Sequence, residues 1–406
     1  MIVHEPELER RDGQLRVSAR VEFRDPRPSL PDRLWIETAD GAGPAPGVRA
    51  DGFAVALLHL AMAIGEDMEI RGEVCPRLLS GLAPYQERFA AWFPGRLRRV
   101  AVEPSRASPP PRRADGRVGQ AFSGGVDSFF TLRERAPRLA APGVEPVSRA
   151  VLVHGFDVPL TDDAGFRSLE AAYRPMLREL GVELVAARTN LRALTRPAVS
   201  WEISHGAALA FAALAFGGGF RAFLIPATQA CDELLPWGSD PRVDPLLSTA
   251  ATEIVHAGAE RDRVEKLLAI ADWEPARRGL RVCWERPRGL VNCCRCSKCL
   301  RTMAALTLAG ALDRFPTFPL PYDRRRLRRL VYRDEVGTRA ARNLLDAARR
   351  AGDRRLAADV EHSLRRSRRA LAVRRWWRGL AGQAEGRRTR PAASGRVGPE
   401  PGVRRS

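Results

Sequence analysis

The alternation of apolar and polar positions divides the chain into two kinds of region. Up to about residue 104, alternating segments such as LRVSARVEF predict strands, and the apolar run FAVALLHLAM predicts a helix buried on nearly all sides. Beyond residue 117, short apolar runs alternate with segments of helical spacing. This second pattern predicts an α/β fold, a doubly wound and mostly parallel sheet, whose ligands bind outside the carboxyl ends of the strands.

The second region yields a specific set of elements. Helices are predicted to begin near Asp127, Ala164, Ser204 and Arg261. Pro175 interrupts the second of these, so we expect a kink or an early end there. The predicted strands are 118–122, 150–154, 182–186, 220–225 and 280–284.

Shifts in composition set the expected domain boundaries. We expect a small α+β domain over 1–104, a linker rich in Pro, Arg and Ser over 105–117, and the doubly wound domain over 118–310. Arginine-rich segments with helical spacing predict a helical appendage over 311–380. The tail, 381–406, has too few apolar residues to pack, and we expect it to be disordered.

A glycine-rich stretch, AFSGGVDSFF, follows the first strand of the second region. A loop that leaves a strand and enters a helix presents unpaired backbone amides, and the helix dipole adds partial positive charge, so it attracts phosphate. Gly124 and Gly125 let the backbone approach a phosphate, and Ser123 and Ser128 add hydroxyl donors. Asp127 would cap the helix or hold Mg²⁺. The alternative is a Gly-Ser turn with Asp127 as an ordinary N-cap.

The loop lacks the lysine of a Walker A sequence, and it resembles instead the SGGxDS signature of the N-type ATP pyrophosphatases, the PP-loop superfamily. The resemblance implies an adenine nucleotide alpha hydrolase-like fold and ATP cleavage between the α and β phosphates. It implies that the pyrophosphate portion and Mg²⁺ are bound by Ser123, Gly124, Gly125, Val126, Asp127 and Ser128, with Ser123 and Asp127 catalytic. It further implies adenine binding by backbone groups of 151–156, including Val153, His154 and Gly155.

Other polar residues are expected at the same edge of the sheet. His154 and Asp157 follow the second strand of this region, and a structural role is as consistent with the pattern as a functional one. If Ser204 caps its helix, His205 faces the cleft; the alternative is a first-turn surface histidine. Lys266 is a candidate phosphate contact, or else an exposed lysine. We expect the long loop around Trp237 to determine substrate specificity.

Four cysteines near the end of this region have the spacing of a metal site. Cys283, Cys293, Cys296 and Cys299 give Cys-x9-Cys-x2-Cys-x2-Cys, which favours a structural zinc knot over 283–299 rather than a redox pair or an iron–sulfur cluster. Cys294 could replace one ligand, although its spacing is poor. Together with the glycine loop, the knot resembles the 7-cyano-7-deazaguanine synthase branch of the superfamily. That resemblance covers about 118–303, and the substrate-facing loops do not match it closely.

Charge and composition say less about the function than the motifs do. The chain of 406 residues is 45% apolar, has no apolar run long enough to span a membrane, and begins without the apolar stretch of a signal peptide. We expect a cytoplasmic protein that does not bind membranes. The net charge is +19, and over half of the excess lies in the last 46 residues. A nucleic-acid contact by this tail and a merely solvated end both remain open.

These observations lead to three functional hypotheses. The first is an AMP-forming ligase or synthase that adenylates an oxygen of a small carboxylate, amide or carbonyl substrate for attack by ammonia or another nucleophile, with ATP, Mg²⁺ and Zn²⁺ as cofactors. The second is a tRNA-modifying member of the superfamily, which thiolates or ligates lysine and docks its RNA on the basic tail. The third is a non-catalytic nucleotide-binding protein.

Overall fold

A computed structural model describes residues 1–39, 48–111, 116–215, 219–285 and 289–388, with side chains as far as residue 372. Within these ranges the chain forms an α/β fold around one mostly parallel sheet of eleven strands. The strands are β1 Ile2–Val3, β2 Glu7–Arg11, β3 Gln14–Glu22, β4 Arg33–Ala39, β5 Met68–Val74, β6 Val102–Ala107, β7 Arg117–Ala121, β8 Arg149–His154, β9 Glu183–Thr189, β10 Phe220–Pro226 and β11 Glu253–Ala257.

Twelve α-helices accompany the sheet in the described residues. They are α1 Asp51–Ile64, α2 Pro76–Trp92, α3 Val126–Arg135, α4 Asp163–Glu179, α5 Leu191–Thr195, α6 Trp201–Leu214, α7 Arg263–Ile270, α8 Glu274–Gly279, α9 Ser297–Leu308, α10 Arg324–Arg329, α11 Glu335–Arg350 and α12 Arg354–Arg388. None of them is both long and apolar enough to cross a membrane.

The sheet has the order β11-β10-β7-β8-β9-β4-β3-β1-β5-β6, with β2 paired to β3. All neighbours from β11 to β9 are parallel. One hydrophobic cluster joins α1, α2 and α6 to one face, and a second joins α3, α4 and α7 to the other. The carboxyl ends of the five parallel strands therefore share one edge, which is where a doubly wound sheet binds its ligands.

The N-terminal strands belong to this same sheet. β4 pairs antiparallel with β9, from Ile36 opposite Thr189 to Thr38 opposite Ala187. Because β4 covers an edge that β9 would otherwise expose, the pairing satisfies backbone groups that would be unpaired in an isolated domain. The first hydrophobic cluster also spans both regions, and Phe53 of α1 packs edgewise on Phe211 of α6. The structure thus differs from the predicted division at residue 104, which falls inside β6.

Four further predictions differ from the structure. No strand forms over 280–284, where the chain is an extended connector, and β11 supplies the outer parallel strand instead. α4 runs through Pro175 to Glu179, so of the predicted kink and early end, the early end does not occur. The residues predicted as a disordered tail begin inside α12, which reaches Arg388; residues 389–406 lie outside the described ranges. The predicted linker over 105–117 overlaps the ends of β6 and β7, and its residues 112–115 are also outside these ranges.

Candidate functional site

The glycine-rich stretch forms the corner between β7 and α3 that the sequence predicts. Gly124 has φ of +73°, in the left-handed region that favours glycine, and Gly125 is the extended N-cap residue of α3. A Cβ on Gly124 would lie 1.8 Å from the hydroxyl oxygen of Tyr173, so this corner has no room for a side chain. The carbonyl of Gly124 accepts a hydrogen bond from the amide of Arg281 at 2.8 Å, which fastens the corner to the connector over 280–284.

The corner leaves backbone donors free at the start of α3. The amides of Val126, Asp127 and Ser128 donate to no other described residue, and no side chain caps the helix. Ser123 accepts a 3.3 Å hydrogen bond from the amide of Gly125, and the hydroxyl of Ser128 donates to the Gly125 carbonyl at 3.0 Å. Three free amides at the positive end of a helix dipole are a site suited to an anion.

Asp127 lies at this corner with one oxygen paired and one free. Its Oδ2 is 3.2 Å from Nη2 of Arg263, the first residue of α7. Its Oδ1 is buried and has no hydrogen-bond partner among the described residues. A buried carboxylate oxygen without a partner carries an energetic cost, and a hard cation such as Mg²⁺ would remove it. The residue is not an N-cap, since it lies in the first turn of α3.

A second cation, Lys298, approaches the corner from the cysteine-rich segment. It is the second residue of α9, and its ammonium lies 5.2 Å from the ring centre of Trp284. No carboxylate of a described residue pairs with it. Burial lowers the pKa of Lys298 and the nearby Arg263 lowers it further, whereas Asp157 and Asp127 raise it. Lys298 therefore senses the charges of Arg263 and Asp127 without forming an ion pair with Asp127.

Lys266 is not the exposed lysine of the second predicted alternative. Its side chain is fully buried, and Nζ donates a 2.6 Å hydrogen bond to the carbonyl of Ala227, just after β10. Burial lowers its pKa, and Asp127 opposes that effect. Lys266 therefore ties α7 to the end of β10. Its side chain is buried rather than exposed, and its ammonium donates a hydrogen bond to the Ala227 carbonyl.

His205 is not brought to the glycine corner. α6 begins at Trp201, so Ser204 is inside the helix and does not cap it; its hydroxyl donates to the carbonyl of Ser200 at 3.2 Å. The Nδ1 atom of His205 lies 3.1 Å from the carbonyl oxygen of Trp201, and its ring is 5.8 Å from that of Trp237. Because α6 packs on the face of the sheet opposite to α3, His205 belongs to the neighbouring aromatic surface.

The end of β8 offers the backbone groups expected for adenine. Val151 points its carbonyl towards the β7 side, where it accepts from the amide of Phe122 at 2.9 Å. Alternate residues of a parallel strand bond to the same side, so Val153 faces the same way. β7 has already ended at that level, and the amide and carbonyl of Val153 have no strand partner there. The two groups thus lie open above the glycine corner.

The flanking residues of β8 are structural. His154 is fully buried; its ring stacks on Phe166, and Nε2 lies 2.8 Å from the carbonyl oxygen of Pro159. Burial is the largest cause of its lowered pKa, so the imidazole is neutral near pH 7. Gly155 has φ of +104°, and a Cβ there would lie 2.0 Å from the carbonyl oxygen of Thr189. These contacts favour the structural alternative for His154.

The loop after β10 is held against α6. Gly238 donates to the carbonyl of Glu202 at 2.7 Å and accepts from the amide of Gly206 at 3.0 Å. Below it, Asp244 accepts hydrogen bonds through Oδ2 from Ser239, at 2.6 Å, and from Nδ1 of His256, at 2.7 Å. Sequence reasoning missed this buried group because β11, which carries His256, was not predicted.

The four predicted metal ligands converge. The sulfur atoms of Cys283, Cys293, Cys296 and Cys299 all lie within 4.8 Å of one another. The closest pairs are Cys283 with Cys296 at 4.0 Å and Cys293 with Cys299 at 3.8 Å. Tetrahedral zinc with bonds of about 2.3 Å requires sulfur atoms about 3.8 Å apart. The arrangement is thus compatible with zinc, and Cys294 is outside it, since its thiol is directed to the Asn292 carbonyl at 3.4 Å.

The cysteine cluster is connected to the glycine corner through three consecutive residues. Arg281 donates to the Gly124 carbonyl, and Cys283 is a predicted metal ligand. Between them, the amide of Val282 donates to Oδ1 of Asn292 at 2.9 Å, and so does that of Cys283 at 3.1 Å. The buried side chain of Asn292 thereby holds the connector in place, and the connector holds the corner.

A cavity of about 520 Å³ lies elsewhere, between the later turns of α3 and the end of β11. It is lined by residues such as Phe130, Thr131, Gly258 and Trp273, and it includes none of residues 123–128. This cavity is therefore separate from the anion site described above.

Sequence reasoning missed the cations around Asp127. Lys298 was visible as one of only two lysines, and its position beside the cysteines was the available signal. Arg263 carried no signal among so many arginines. No protein-family model, curated protein or solved structure matches this chain.

Proposed function

We propose that this protein binds ATP at the glycine corner and transfers AMP from it to an oxygen of a small carboxylic acid or amide, as a PP-loop enzyme. The observation that supports this most is the corner itself, where an SGGVDS segment leaves a parallel strand and presents three free amides beside a half-paired aspartate. These are groups that bind phosphates. The resemblance to 7-cyano-7-deazaguanine synthase adds the reaction type rather than the substrate.

Each part of ATP would have its own residues. The amides of Val126, Asp127 and Ser128 would receive the β and γ phosphates, and Arg263 and Lys298 would add positive charge. Oδ1 of Asp127 would hold Mg²⁺, which neutralises phosphate charge when bound. Adenine would bind to the open amide and carbonyl of Val153.

The chemistry then has two balanced steps. A substrate oxygen attacks the α phosphorus, the bond from that phosphorus to the bridging oxygen breaks, and pyrophosphate leaves. Ammonia next attacks the carbon of the adenylated group, AMP leaves, and the nitrogen loses a proton. In both steps the chain contributes positioning and electrostatic stabilisation.

The test is pyrophosphate release by Asp127→Asn. We expect release to fall on the order of 10²-fold or more, because the substitution removes the carboxylate charge that would hold Mg²⁺ against the phosphates. Glu134→Gln is the matched control, since Glu134 is an exposed acid of the same helix whose one ion pair among the described residues is with Arg133, at 3.9 Å. Pyrophosphate and AMP are measured with a panel of carboxylic acids. Equal turnover in both variants would refute the assignment of the corner.

A further inference from the structure

The positive charge of this protein is confined to one end. Residues 1–323 contain 42 basic and 40 acidic residues, whereas residues 324–406 contain 25 basic and 8 acidic ones. A general preference for arginine over lysine does not explain this difference, because the first 323 residues share that preference and are nearly neutral. The excess thus belongs to the segment that includes α10, α11 and α12.

Part of this excess forms a defined surface on α10 and α12. We name as the arginine face Arg328 of α10 together with Arg365, Arg366 and Arg369 of α12. Arg328 reaches α12 at Asp359, 4.0 Å away, and all four arginines, together with burial, lower the pKa of His362. Residues 362, 365, 366 and 369 also lie on one side of a helix by their spacing.

Acidic partners on this face are few. Arg365 lies 3.6 Å from Glu361, and Arg328 is at 4.0 Å from Asp359, which already accepts a 2.7 Å contact from Arg324. Arg366 and Arg369 are exposed and have no carboxylate partner among the described residues. Exposed guanidinium groups without acidic partners are typical of surfaces that bind phosphate in two-pronged hydrogen bonds.

The face is fixed and close to the proposed nucleotide site. α10 packs on both α12 and α9, and α11 packs on α7. The side chain of Arg301 in α9 donates a 3.0 Å hydrogen bond to the carbonyl of Gly337 in α11. Because α7 and α9 supply Arg263 and Lys298 to the glycine corner, the appendage is built directly on the elements of that site.

We propose that the arginine face is a docking surface for RNA. A membrane is a poorer fit, because Leu327, Val360 and Leu364 are buried inside the appendage, and the side chains described in α10, α11 and α12, up to residue 372, form no apolar face to insert. The preference for RNA over duplex DNA rests on the proposed function. Unpaired RNA bases can be splayed into a site at the edge of a sheet, whereas a duplex keeps its bases stacked.

The test is fluorescence anisotropy with the full chain and a labelled 20-nucleotide single-stranded RNA, titrated at several salt concentrations without ATP. The test variant changes all four residues of the face to Gln. We expect its RNA affinity at 0.1 M salt to fall at least about tenfold, and the slope of log affinity against log salt to fall by about 3.

The matched control changes four exposed arginines outside the appendage that have no ion pair among the described residues, and it removes the same charge: Arg96, Arg138, Arg178 and Arg196 to Gln. We expect its affinity to stay within about twofold of the parent. An equal loss of RNA affinity in the test and control variants would overturn the proposal. Equal affinity for RNA and for a DNA duplex of the same length would also overturn it. A third contrary outcome is binding to vesicles of phosphatidylserine and phosphatidylcholine that depends on the arginine face, with no binding to RNA.

This result is independent of the Asp127 test. Pyrophosphate release by the face variant on a small substrate should equal that of the parent, because none of the four arginines lies at the corner. RNA binding that persists in Asp127→Asn would support the docking surface even if neither the parent nor this variant turned over ATP.

Discussion

The glycine corner and the cysteine cluster are made by different parts of the chain. At the corner the phosphate donors we propose are backbone amides, which need a position free of a side chain at Gly124 and the carboxylate of Asp127 beside them. In the cluster the useful groups are four side-chain sulfurs, placed by backbone that has little regular structure. The two meet over residues 281–283, which bond to the corner at one end and provide a sulfur at the other. A metal site can therefore shape a phosphate site without touching the phosphate.

Removing the metal should lower the stability of the protein more than any of the substitutions that follow. Zinc bound by four thiolates contributes on the order of 10 kcal/mol to the folding of small domains, because the unfolded chain has no such site. We expect a strong zinc chelator, or Cys296→Ser, to release one zinc ion per chain and to lower the unfolding temperature. Nucleotide binding should weaken as well, because the connector that holds Gly124 loses its anchor. Zinc content, thermal unfolding and ATP titration are the measurements.

Two cysteine variants serve as controls for that comparison. Cys231→Ser changes an exposed cysteine, and Cys294→Ser changes the buried neighbour that lies outside the cluster. Both should keep a full complement of zinc. Loss of zinc from Cys294→Ser would contradict the ligand set, and a protein that holds no zinc under reducing conditions would contradict the site.

Filling the corner should have the next largest effect. Gly124→Ala adds a Cβ that overlaps the hydroxyl of Tyr173, on top of the strain of a positive φ. Gly143→Ala has the same kind of strain, at φ of +80°, but open space around the Cβ. We expect about 1 kcal/mol of destabilisation at Gly143 and about 2–5 kcal/mol at Gly124, with weaker ATP binding only at Gly124. The measurements are urea unfolding and ATP titration of both variants. Equal losses of stability and of ATP affinity at both glycines would contradict a crowded corner.

The two lysines should give the smallest and most selective effects. Lys298→Met removes an ammonium with no acidic partner among the described residues, so we expect ATP affinity to fall by about tenfold and stability to stay nearly constant. Lys266→Met leaves the Ala227 carbonyl without its donor, so we expect a loss of about 1–3 kcal/mol in stability. The measurements are ATP titration and urea unfolding on both variants. A loss of ATP affinity in Lys266→Met together with a loss of stability in Lys298→Met would show instead that Lys266 binds the phosphates.

The local parts of this molecule were predictable from the sequence. The corner between β7 and α3 follows from six adjacent residues, and the cysteine cluster follows mainly from knuckle spacings of two. Periodicity likewise identified most of the parallel strands. It failed for β11, and for residues 280–284, where an apolar stretch lies buried as an extended connector. A short apolar run shows that a segment is buried, but not whether another strand pairs with it.

By itself, the sequence determined where the glycine corner and the cysteine cluster lie along the chain, because each is built from residues close to one another. Only the tertiary structure decided that β4 joins β9, that Lys266 is buried and donates to the Ala227 carbonyl, and that α6, which carries His205, packs on the face of the sheet opposite to α3. Those outcomes depend on which helix face meets which strand. Such contacts join residues far apart in sequence, and apolar spacing specifies only that a face is buried, not what it is buried against.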